Sequence, residues 1–307
     1  PRVISALPSR GALVGPQVKG VMVDKRVKAI VVAILGLVLL VGPLQAGPAA
    51  ADDKKLPVPY QFLPGAVLGG IPGANAPGTN DWSCKPTKRH PRPVVLVHGL
   101  LGNRSTNWRT YGPLLKNNGY CVFALTYGVE YDLPVVNLFG GLNDMRSSAR
   151  ELKRFVAKVK KATGARKVDL VGHSEGTIVP QWYIKFLGGK KHVKRFVGIA
   201  SAFKGTNIPT PFYALLGQIL PGGELPTVCV SCLQFAPASP FMKKLHEGGM
   251  LAKGVDYTSI VTKYDELVLP YTNGTMKGVR NIVLQDVCKE DWSEHFQIVS
   301  SRNVAQI

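Results

Sequence analysis

The sequence predicts an α/β fold, with a mostly parallel central sheet and helices on both faces. Three observations predict it. Apolar runs of strand length recur along the chain, and stretches of helical period lie between them. One of those stretches, 143–163, is strongly amphipathic. A Gly-x-Ser-x-Gly segment sits where one apolar run passes directly into a helical stretch. The 307 residues are 45% apolar and 19% charged. That is enough for a sizeable core and excludes a disordered chain, a collagen-like chain and a disulfide mini-protein.

Residues 1–21 have no helical or strand period and read as an upstream extension. From Met22, the basic residues Lys25, Arg26 and Lys28 precede an apolar run over 29–41, then small residues ending at Ala51. This is the pattern of a signal peptide over 22–51 with an Ala-x-Ala cleavage site. The run is short of the roughly 20 residues of a membrane span. Residues 52–307 are then expected to form one catalytic-sized domain in an exported protein. Five Cys fall in that part: Cys84, Cys121, Cys229, Cys232 and Cys288. Outside the cytosol they can pair, and an odd number leaves one over. Cys229-x-x-Cys232 has no second CxxC and no His pair at ligand spacing, so a disulfide is favoured over a metal site.

Residues 52–90 are rich in Pro and Gly and read as a meandering surface segment. Strands are predicted at 93–97, 120–125, 168–171, 196–199, 258–261 and 281–284. Helices are predicted at 108–116, 143–163 and 176–186. In the long helix Met145, Ala149, Leu152, Val156 and Val159 share one face, and Gly164 is placed to cap its end. A Pro-rich stretch over 207–249 breaks the alternation. It reads as an insertion, either a cap over a pocket or a structural excursion held by a disulfide.

Gly172-His173-Ser174-Glu175-Gly176 follows the 168–171 strand and opens a helix. Such a turn lifts a Ser oxygen above the sheet, beside unpaired N–H groups at the helix start. A Ser hydroxyl needs an adjacent base, and in this setting the chain order is Ser, acid, His. Of six His, only His295 follows several acids and lies past the last strand. Asp265 lies just beyond the 258–261 strand, where an acid can orient an imidazole. Asp291, Asp286 and Asp256 are its rivals, Asp256 from the wrong end of its strand. The loop after the 93–97 strand begins His98-Gly99-Leu100. It nominates the backbone N–H groups of Leu100 and Glu175 as an oxyanion hole. His98 is then a loop-shaping residue.

Taken together, Val97-His98-Gly99, Gly172–Gly176 with Thr177, Phe203-Lys204-Gly205-Thr206, the segment 265–271, and Cys288 with Glu294-His295 resemble the secreted bacterial lipases of class 2. Those belong to the α/β-hydrolase superfamily. The layout is more distantly similar to the fungal lipase B type. The resemblance implies carboxylester hydrolysis on acylglycerols through Ser174, Asp265 and His295, with no metal and no cofactor. In the fungal type a Cys near the matching His pairs with one downstream. No Cys follows Cys288 here, so any partner of it lies upstream. Leu100, Leu101, Phe212, Leu215, Leu216, Ile219, Val268 and Leu269 are the candidate acyl contacts. A short-chain esterase or an acyltransferase would use the same residues.

The charge balance suggests a different class of function. Lys and Arg number 38 against 19 Asp and Glu, a net charge of +19. Residues 52–307 keep 32 basic and 18 acidic residues. A non-catalytic protein that binds an anionic envelope is one reading. A basic surface that lets a hydrolase touch an anionic membrane is another. The basic residues are scattered, with modest clusters at 85–92 and 188–195, so no nucleic-acid partner is expected. A monomer is expected.

Overall fold

The computed structural model of the chain describes residues 55–71, 73–129, 139–207 and 229–307, leaving aside the Leu68 side chain. Among them, six strands form one parallel sheet: β1 (Val94–Val97), β2 (Val122–Leu125), β3 (Val168–His173), β4 (Val193–Ile199), β5 (Asp256–Val261) and β6 (Arg280–Val283). Their spatial order is β2-β1-β3-β4-β5-β6. The register pairs Val94 with Val122 and with Asp169, and Ile199 with Ile260.

β1 and β2 are apolar without alternation because both sheet faces are covered there. Val95, Val97, Phe123 and Leu170 pack on one side and Val94, Leu96, Val122 and Ala124 on the other, all nearly inaccessible. The first side is covered by helices at Met145–Thr163 and Glu175–Phe186. On the second side lie Trp108, Tyr111 and the C-terminal Ile298, Val299 and Val304. This is the α/β-hydrolase architecture that the sequence predicts.

The long helix spans Met145–Thr163 and begins two residues later than predicted. Asp144 caps it by accepting from the Arg146 N–H at 2.7 Å. Gly164 ends it at φ 74°, a left-handed conformation that glycine adopts without penalty. The helix Glu175–Phe186 is buried over 175–184 and holds Pro180 in its interior. Trp182 stacks on Phe241, ring centroids 4.7 Å apart.

Two expectations change. The 52–90 segment is not all meander, since Phe62–Gly69 is a helix. Pro64 lies in its first turn, where a missing N–H costs no helical hydrogen bond. Gly69 lets it press on the next segment, because a Cβ there would sit 2.8 Å from Thr106 Cα. Those Pro and Gly residues serve helix start and close packing rather than a loop. The 207–249 insertion is described only from 229 onward. That part forms helices Val230–Gln234 and Pro240–His246, and Phe241, Met242 and Leu245 join the main core. It is packed structure, which favours the excursion over the cap for these residues. Phe212, Leu215, Leu216 and Ile219 lie outside the described residues, as does the 22–51 segment.

The cysteines pair as Cys84–Cys121 and Cys229–Cys232, and Cys288 is free. Among the described residues no cluster of His, Cys, Asp or Glu is placed to hold a metal ion, and no helix is long and apolar enough to cross a membrane.

Candidate active site

The site lies at the carboxyl ends of β1, β3 and β5. Ser174 follows β3 and is the residue before the next helix, at φ 54° and ψ −119°. A non-glycine residue holds that conformation only when its surroundings force it. The two glycines make the turn feasible. A Cβ on Gly172 would lie 1.9 Å from Gly176 O, and one on Gly176 would lie 1.9 Å from Val97 O. No side chain fits at either position.

Ser174 Oγ lies 2.9 Å from His295 Nε2. His295 Nδ1 lies 2.9 and 3.0 Å from the two Asp265 oxygens. All three side chains are almost wholly buried. Asp265 Oδ1 also accepts from the N–H groups of Leu267 and Val268, at 3.0 and 2.7 Å. Burial alone would raise the Asp265 pKa. The neighbouring His295 and those N–H donors outweigh it and hold the carboxyl below its ordinary value. For His295 burial disfavours the cation, but Asp265, then Glu266 and Glu294, more than offset this and raise its pKa. The imidazole is therefore a stronger base than an exposed one.

The rival acids are engaged elsewhere. Asp291 accepts from Ser301 Oγ at 2.6 Å and Asn303 Nδ2 at 2.9 Å, so it organises the loop carrying His295. Asp286 pairs with Lys263, and Asp256 pairs with Lys194 at the amino end of the strands, away from the site. His98 is buried, and burial pushes it down to about 4. It stacks on Tyr127, whose hydroxyl donates to His98 O at 2.7 Å.

The loop after β1 runs beside Ser174, since a Cβ on Gly99 would lie 3.1 Å from Ser174 Cβ. Leu100 and Glu175 each present a backbone N–H with no acceptor among the described residues. Leu101 sits at φ 61° and its N–H donates to Gly140 O at 2.9 Å, which ties the loop to residues 139–142. Gly99 N–H donates to Asn107 Oδ1 at 3.2 Å.

Several further residues gain their roles only from contacts made in the fold. The main chain of His295 is held from both sides. Its N–H donates to Glu266 Oε2 at 3.1 Å, and its carbonyl lies 2.9 Å from His173 Nε2. Burial, then the neighbouring His295, push His173 down to about 3, so its ring stays neutral. Thr206 Oγ1 donates to Leu267 O at 2.7 Å and accepts from Leu269 N–H at 3.0 Å, fastening the segment that carries Asp265. The Glu175 side chain is fully buried, and neither carboxyl oxygen has a partner among the described residues. Burial raises its pKa well above the ordinary carboxylate value.

Ser174 and His295 open into a cavity of about 350 Å³ whose walls are overwhelmingly apolar. Leu101 and Val268 line it, as the sequence suggests, together with Leu100. Leu269 does not, because its side chain turns outward and is 46% exposed while its neighbour Val268 turns inward. Phe62, Ala66 and Val67 of the unexpected first helix form another wall, and Phe139, Phe235 and Phe296 complete it.

Comparisons with known proteins bear on the family and the fold. The family model for class 2 lipases matches residues 91–307. A triacylglycerol lipase of Pseudarthrobacter phenanthrenivorans is 34% identical over 100 residues, 29% of this chain and 27% of that protein. One from Burkholderia plantarii is 34% identical over 100 residues, 29% of this chain and 24% of its own length. The chain thus aligns with about a quarter of each curated relative. The crystal structure of Aspergillus fumigatus lipase B superposes with a TM-score of 0.53 at 20% identity, covering 83% of this chain and 59% of that one. That similarity concerns the fold. The family match spans most of the chain: this protein belongs to the class 2 lipase family.

Proposed function

We propose that the protein is an exported serine carboxylester hydrolase acting on acylglycerols and other lipid esters. The observation that carries this reading is a single line of contacts, from Ser174 Oγ through the His295 ring to Asp265, opening into an apolar cavity. Membership of the class 2 lipase family supports the substrate class. The basic, apolar and small-residue sequence of 22–51 supports export, and two disulfides suit an oxidising compartment.

In this mechanism Ser174 Oγ attacks the ester carbonyl while its proton passes to His295 Nε2. Asp265 stays ionised and holds the proton-bearing Nδ1, which fixes the tautomer and stabilises the imidazolium. The developing oxyanion accepts from the N–H groups of Leu100 and Glu175, each worth on the order of 10²–10³ in rate. The intermediate collapses, and the alcohol leaves with the proton from His295. Water then gives a proton to His295 and attacks the acyl-enzyme, releasing the acid and restoring Ser174. Apolar walls bury the acyl chain, at roughly 0.8 kcal/mol per CH₂ removed from water.

The test is hydrolysis of p-nitrophenyl esters from short to long acyl chains, and of triacylglycerol, by wild type and Ser174→Ala. Turnover of long-chain esters that disappears in the variant supports the reading. Turnover confined to short acyl chains would make it a short-chain esterase, and no turnover by folded wild type would remove the hydrolase reading.

A further inference from the structure

The sheet directs its two ends to different chemistry. The active site occupies the carboxyl ends of the strands. At the amino ends, three segments that are separate in sequence converge. Residues 85–92 lead into β1, residues 153–169 lead into β3, and residues 188–195 lead into β4. These strands are neighbours in the sheet. Together the three segments carry fifteen Lys and Arg and one acid, Asp169.

Specific contacts bind the segments into one face. The Cys84–Cys121 disulfide fixes the first segment beside the start of β2. Lys85 Nζ donates to Ala162 O at 2.5 Å, at the end of the long helix. Lys160 Nζ lies 2.8 Å from His192 Nδ1, and Val168 N–H donates to His192 O at 2.8 Å. Burial, then the nearby cations of Lys160, Lys191, Lys153 and Lys167, hold His192 below its ordinary pKa. Neutralisation is slight: Arg92 pairs with Asp169, and Lys194 pairs with Asp256. Lys161, Lys190 and Lys191 are exposed.

So many like charges side by side repel one another, and an anionic surface relieves that repulsion. We propose that this basic face seats the protein on a bilayer bearing anionic phospholipid, with the active-site mouth turned away from that bilayer. Three adjacent strand ends and the flank of the long helix make a broad face, matched to a surface rather than to one strand of polymer. Its aromatics are covered, Trp82 by the Lys158 ammonium at 4.1 Å and Tyr120 by His90 at 3.8 Å, so it offers no stacking platform for single-stranded nucleic acid. The proposal goes beyond ester hydrolysis, and its binding readout stands even if no ester is turned over.

The experiment is co-sedimentation of the purified protein with phosphatidylcholine vesicles, with and without roughly one third phosphatidylglycerol. Binding is expected only with the anionic lipid, and is expected to be lost in about 1 M NaCl, where the screening length is ~3 Å. Neutralising Lys161→Gln, Lys167→Gln, Lys190→Gln and Lys191→Gln together should weaken partitioning on the order of a hundredfold or more. Melting temperature and hydrolysis of a water-soluble ester should match wild type, and vesicle-bound protein should hydrolyse that ester at its solution rate. Equal binding to both vesicle types, or unchanged binding by the folded variant, would overturn the proposal. Loss of soluble-ester turnover on the vesicle would overturn the stated orientation. Tighter binding to a DNA duplex than to anionic vesicles at equal phosphate would overturn the choice of a bilayer.

Discussion

Replacing Asp265 with Asn changes few atoms and should change the chemistry greatly. The Asp265 carboxylate accepts from three donors: His295 Nδ1 and the N–H groups of Leu267 and Val268. The two backbone donors are fixed, so the Asn carbonyl is expected to take them. Its NH₂ group then faces His295 Nδ1 and can only donate to it. That forces Nδ1 to accept and places the ring proton on Nε2, toward Ser174, where the base must be unprotonated. The wrong tautomer costs up to roughly 10⁴ in kcat, or about 5.4 kcal/mol of transition-state stabilisation. The pH profile supplies a second sign. The carboxylate raises the His295 pKa, so the acid limb of kcat/KM in the wild type should lie above the ordinary histidine range. In Asp265→Asn its midpoint should move to lower pH. The assay is p-nitrophenyl ester hydrolysis from pH 5 to 9, with circular dichroism to verify folding. A folded variant with near-normal turnover and an unshifted limb would refute the reasoning and return the role to Asp291.

Three further outcomes follow. Glu175 has a folded pKa raised by burial, so the stability it contributes as a neutral acid is full below its unfolded value and is lost as pH rises toward the folded value. Glu175→Gln should therefore gain stability relative to wild type with rising pH, by about 1.4 kcal/mol per pH unit across that window, as read by urea unfolding at pH 5 to 8; parallel curves would contradict this. Removing Cys84–Cys121 by paired Ser substitutions should cost about 4 kcal/mol, because it closes a loop with a sequence separation of 37, whereas removing Cys229–Cys232, with a separation of 3, should cost less than half as much. Thermal denaturation would rank the two. Val268→Trp should fill the cavity beside Ser174 and shift kcat/KM toward short acyl chains by roughly tenfold or more per lost contact of 1–3 kcal/mol, while Leu269→Trp, on the outside, should leave the profile unchanged.

Much of this fold is legible in the sequence because its signals are local. Short apolar runs such as 94–97 are consistent with strands buried on both faces, and Gly164 marks the end of the long helix, whose Asp144 cap only the structure identifies. The Gly172 and Gly176 pattern is legible too, although only the 1.9 Å clearances explain why neither position accepts a side chain. The first helix is hidden because Pro64, Gly65 and Gly69 carry loop signals while serving helix start and close packing. At the site, chain order and strand ends nominate Ser174, Asp265 and His295, whose atoms the fold brings within hydrogen-bonding distance. Glu266, His173 and Asn107 escape sequence reasoning because their roles depend on contacts between distant segments. The buried carboxyl of Glu175 escapes it as well: a motif specifies the residue but not the side-chain environment.

The most direct test of the account is covalent trapping of the nucleophile. Incubation with a long-chain p-nitrophenyl phosphonate, followed by peptide mass mapping, should show one equivalent of alkylphosphonyl group on Ser174, with activity lost in proportion. Ser174→Ala should stay unlabelled, and His295→Ala should label at a rate lower by orders of magnitude. Label on a residue other than Ser174, or labelling of wild type no faster than of His295→Ala, would contradict a Ser174 nucleophile activated by His295.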